Sequence, residues 1–150
     1  MGLTLQKKNF VSTGRKKVLL LGLIIWILGF LVSLLIMGIL GIHPGKKAEN
    51  WGINHPKYLQ FELLMITTMI ILMFVIALEF FKQQENSATP IDVLKDGFLI
   101  MIIQFMMDLI VLVVVMKVGI AYFYGLVTLM YVTIPFQWYI FARIGNSIKN

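Results

Sequence analysis

Apolar residues gather in four long runs divided by short polar segments. The first, Val18 to Ile42, carries no charge. The second, Leu63 to Phe81, has Glu62 just before it and Glu79 near its end. The third, Phe98 to Val118, is apolar except for Gln104, Asp108 and Lys117, and the fourth, Ile120 to Ala142, holds most of the tyrosines. A helix needs about 20 predominantly apolar residues to cross a hydrocarbon core, so each run predicts a transmembrane helix.

Punctuation between the runs supports helices. Gly41 followed by Pro44 predicts the end of the first helix. Pro56 suits a first helical turn, which places the start of the second near His55. Thr89-Pro90-Ile91-Asp92 reads as N-cap, N1 proline and N3 acid, so the third helix should begin at Pro90. Gly119 allows a tight turn that makes the third and fourth helices antiparallel neighbours. The expected organisation is a basic segment, 1–17, then one transmembrane domain, 18–142, and a short tail, 143–150. Its spans fall at about 18–42, 58–82, 90–118 and 120–142.

Composition rules out a water-soluble fold. The chain has 150 residues, 59% hydrophobic and 13% charged, with a mean hydropathy of +0.89. Soluble domains are about 45–50% apolar and about 25% charged. No cysteine is present, which removes disulfides, thiolate metal sites and a cysteine nucleophile. Of the thirteen basic residues, Lys7, Lys8, Arg15, Lys16, Lys17, Lys82, Lys95, Arg143 and Lys149 fall on one side, against Lys46, Lys47, Lys57 and Lys117 on the other. That nine-to-four split predicts a multi-pass protein of the cell membrane with both termini cytoplasmic. The fold class is therefore all-α, a bundle of four transmembrane helices.

Asp108 is the costly residue. It lies about ten residues from either end of its run, roughly 15 Å from each interface, too deep to snorkel. An aspartate there costs about 2.5–3.5 kcal/mol on insertion scales and must face protein or water. Gln104 is one turn earlier on the same face. In a tight hairpin, Asp108 lies level with residues 129 to 131, making Thr128 and Tyr131 its expected hydroxyl partners. Pro135 leaves the carbonyl of Tyr131 without its usual donor. Asp108, Gln104, Thr128 and Tyr131 thus form a candidate polar site, read either as interhelical glue or as a proton- or cation-handling site.

Other features have plainer readings. Gly22, Gly29 and Ser33 share a face of the first helix, with Trp26 between them, and suit a close helix seam or a dimer contact. Met65, Met69 and Met73 form a stripe at one-turn spacing that reads as packing. His43 and His55, with Glu49 and Trp51, match no strong metal pattern. Glu79 and Lys82 read as a rim ion pair. Lys7, Lys8, Arg15, Lys16 and Lys17 are expected to contact anionic lipid at the cytoplasmic face.

The sequence has no Gly-rich phosphate loop, no histidine within a run and no carboxylate cluster. Ser33, the one serine inside a run, has no base within its helix. Neither an enzyme nor a cofactor is expected, and no nucleic-acid role. Two classes remain: a non-enzymatic accessory or assembly subunit, or a small oligomeric transporter or channel-like protein using Asp108 and Gln104. Either implies a second copy or a partner membrane protein.

Overall fold

The computed structural model describes residues 3–42, 56–82, 89–116 and 126–149; side chains of 3–13, 82, 126, 146 and 149 lie outside that description. Four helices make up almost all of it: α1 (Leu3–Leu40), α2 (Tyr58–Lys82), α3 (Pro90–Asp108) and α4 (Leu126–Lys149). A π-helical segment, Leu109–Val115, continues α3.

Local sequence explains most of these boundaries. At the end of α1, Gly41 adopts a left-handed φ of 65°. Its amide bonds the Gly38 carbonyl at 3.1 Å, and the Ile42 amide bonds the Met37 carbonyl at 2.8 Å. These two bonds form a Schellman cap, which satisfies carbonyls that a helix end otherwise leaves open. The side chain of Thr89 caps α3 by accepting from the Asp92 amide at 3.2 Å and donating to the Asp92 carboxylate at 2.6 Å, with Pro90 at N1. The π-helical turn falls on Leu109-Ile-Val-Leu-Val-Val-Val115, where β-branched residues crowd the preceding turn and weaken the α preference.

Some boundaries differ from expectation. The first helix starts well before Val18: α1 begins at Leu3 within the basic segment and runs unbroken for 38 residues, about 57 Å. Gly14 and the polar residues around it do not interrupt the helix. Pro56 lies in a turn two residues before α2, not in its first turn. The last helix continues past the expected end at Ala142 to Lys149, while its expected start, with Gly119 and residues 120–125, lies outside the described residues.

Helix α1 packs against α2 and α3, and α4 packs against the same two, so the helices close a ring with α2 and α3 on opposite corners. Gly22 and Trp26 of α1 meet Gln104 and Asp108 of α3 in the same order, so those helices run parallel. Gly97 lies against Pro135 whereas Asp108 bonds Tyr131, so α3 and α4 are antiparallel. The interior holds Ile25, Met73, Ala77, Ile100, Ile134 and Trp138, with Phe80 and Phe81 tilted onto the Trp138 ring at 5.8 and 5.4 Å.

The outside is as apolar as the inside. Leu35, Ile39, Val75, Val114 and Val132 are all more than half exposed. Such a surface suits hydrocarbon, where each backbone polar group must be satisfied within its own helix. Three segments, Gly14–Leu40, Tyr58–Phe81 and Pro90–Val115, are long and apolar enough to cross a membrane. The chain is membrane-embedded and all-helical among its described residues. In α4, Thr128, Thr133, Gln137 and Arg143 dilute the apolar character.

With apolar solvent outside, burial alone gives little drive for helix association, and close packing carries more of it. Gly97 shows this best. A Cβ there would stand 2.8 Å from the Pro135 Cα, so the absence of a side chain lets the α3 and α4 backbones touch.

Candidate functional site

Asp108 stands at the junction of the α-helical and π-helical parts of α3 and is half-buried. Its Oδ1 accepts a hydrogen bond from the Trp26 indole Nε1 at 2.7 Å. Its Oδ2 accepts from the Tyr131 hydroxyl. One carboxyl group therefore ties α1, α3 and α4 together. Both donor rings are held: Trp26 stacks on Phe30 at 5.4 Å, and Tyr131 meets Phe105 edge-on at 5.6 Å.

One turn earlier, Gln104 is buried at 4% exposure and donates from Nε2 to the Gly22 carbonyl at 3.0 Å. Gly22 also lies close to α3, where a Cβ on it would stand 2.8 Å from the Ile103 Cδ1. The two links between α1 and α3 join residues 82 apart, so Gln104 and Asp108 use successive turns of the same two helices. Gln104 serves the α1 backbone, one turn away from the carboxyl.

Of the two hydroxyls expected near Asp108, Tyr131 bonds it, and Thr128 lies exposed one turn before. Sequence reasoning placed Trp26 among the small residues of α1 and missed its bond to Asp108. Its depth in the first run, close to that of Asp108 in the third, is the one signal that pointed to it.

The small residues of α1 separate in the structure. Gly22 faces α3, while Gly29 faces α2, where a Cβ would come within 2.8 Å of the Met69 sulfur. Ser33 returns its hydroxyl to the Phe30 carbonyl at 2.7 Å. Met69 and Met73 are buried in the core and Met65 packs beside them. No group of three or more His, Asp or Glu side chains suited to a metal occurs among the described residues. His43, Glu49, Trp51 and His55 lie outside them. Arg15, Lys16 and Lys17 are exposed, and Lys7 and Lys8 lie on the first turns of α1.

Sequence reasoning also passed over Glu62, treating it as the flank of a run. The structure turns it inward at 3% exposure.

The chain matches no protein-family profile, no curated protein and no solved structure.

Proposed function

We propose that this chain is a four-span protein of the cell membrane with cytoplasmic termini, acting as a non-enzymatic accessory or assembly subunit. In this reading Asp108 is a structural clamp. The observation that carries it is that both carboxyl oxygens are bonded, one to Trp26 of α1 and the other to Tyr131 of α4. A carboxylate that works on a passing proton or cation needs an oxygen facing water, whereas both oxygens here face protein donors. The Gln104 amide nitrogen, one turn earlier, donates to the α1 backbone. The apolar exterior serves lipid and a neighbouring membrane chain or second copy, and the exposed Arg15, Lys16 and Lys17 serve anionic headgroups.

Two substitutions test the clamp. Asp108→Asn keeps an acceptor for one donor and should fold with a melting temperature near that of the wild type in detergent. Asp108→Leu strands both donors and should lower stability by about 1–3 kcal/mol. Proteoliposomes carrying a pH-sensitive dye provide the opposing outcome. A proton or cation flux that Asp108→Asn abolishes without loss of stability would replace the clamp by the transporter reading. Cross-linking in native membranes should trap a second copy or another membrane protein.

A further inference from the structure

Glu62 occupies the second turn of α2, between Phe61 and Met65. Both neighbours belong to the apolar cluster that α2 makes with Ile36 and Ile42 at the C-terminal end of α1. The Glu62 carboxyl is withdrawn from the surface, and it is only half satisfied. Tyr58, one turn earlier and buried as well, shares a side-chain hydrogen bond with it. The remaining oxygen, Oε1, is sealed from solvent and has no hydrogen-bond partner.

Among the described residues, no surrounding charge fills that gap. On α1 and just past its end, the residues of the cluster are Val32, Ile36, Met37, Leu40 and Ile42, none of them titratable. Lys57 donates its ammonium to the Leu40 carbonyl, where it also complements the negative end of the α1 dipole. On α4, the other helix packed against α2, Tyr131 bonds Asp108, and Tyr139 and Arg143 lie further toward the opposite end.

A carboxylate needs acceptor positions filled on both oxygens, and an ion buried without them is far costlier than the neutral acid. A sealed Oε1 has no room for water or a metal ion in this packing. A proton is the one cation that needs none. We infer that Glu62 is a proton-binding site: it stands as a neutral carboxylic acid with its proton on Oε1 and its carbonyl oxygen bonded by Tyr58. Losing that proton would leave a buried charge with no partner on Oε1, which is why the acid form is held. The inference is independent of the role given to Asp108.

Infrared spectroscopy of the full chain in lipid, comparing wild type with Glu62→Gln, tests it. The difference spectrum should contain the carbonyl stretch of a carboxylic acid, lost in Glu62→Gln and moved to lower frequency in D2O as the proton exchanges. Tyr58→Phe provides a second measurement that leaves the acid in place. It removes the hydrogen bond to the carbonyl oxygen, so the same band should move to higher frequency. Carboxylate stretches in place of the acid band overturn the inference, as does an acid band that stays unshifted in D2O. A band unmoved by Tyr58→Phe also overturns it, because the proton would then lie elsewhere.

Discussion

At the scale of single residues, Asp108 makes two hydrogen bonds to two different helices, and the stability it confers is shared between them. Interhelical hydrogen bonds in membranes are worth about 0.6 kcal/mol on average and up to about 2. Trp26→Phe and Tyr131→Phe should each destabilise the fold by about 1 kcal/mol. The double variant should lose less or more than the sum of the two, because both donors act on one group. Equilibrium unfolding in mixed micelles measures the coupling, and strict additivity would show that the two bonds are independent. Half of this site was legible in the sequence. Depth matching across the expected hairpin pointed to the face of Tyr131, because apolar runs that follow one another with few residues between them constrain each other's register. No such connection links α1 to α3. Their offset is not constrained by a neighbouring connection, so similar depth in the two runs was the single pointer to Trp26.

At the scale of elements, close approach distinguishes glycines that composition treats alike. Gly97 lets α3 touch the α4 backbone, whereas Gly38 on α1 has nothing within 4 Å of where a Cβ would be. Gly97→Ala must push against Pro135 and should cost about 1–3 kcal/mol. Gly38→Ala should instead gain about 0.5–1 kcal/mol through helix propensity. Thermal unfolding of the two variants separates them, and equal effects would remove close packing as the reason for Gly97. The caps of α1 and α3 were legible because they depend on neighbours in sequence: Gly41 for one, Thr89 to Asp92 for the other. The start of α1 was not, since a polar basic segment gives no apolar run to mark it as helix. Glu62 was missed for a related reason. Counting the second run from Leu63 hid the helical turn that begins at Tyr58 and carries the acid inward.

At the scale of the whole molecule, the alternation of helix directions fixes which segments share a side. α1 and α3 run parallel, and Gly29 and Leu40 of α1 meet Met69 and Lys57 of α2 in reversed order. Under the four-span proposal, cysteines introduced at Asn50 and Asn86 should react with an impermeant reagent from opposite faces of sealed vesicles. Labelling of both from the same face would refute it. The overall class was legible because a chain this apolar has no other solvent than lipid, and the positions of its basic residues carry the expected orientation.

The ring order has a consequence for synthesis. α2 and α3 follow each other along the chain but sit on opposite corners, and α1 is the neighbour both need. A growing chain that has released three helices from the ribosome therefore holds an open wedge around α1, with Trp26 already within reach of Asp108 and Tyr131 not yet made. The carboxyl waits half-bonded at the edge of that wedge until the last helix arrives. Translation stalled before α4 leaves one oxygen of that carboxyl without its Tyr131 donor. The bonding of Asp108 is thus complete only once the last helix has joined the other three.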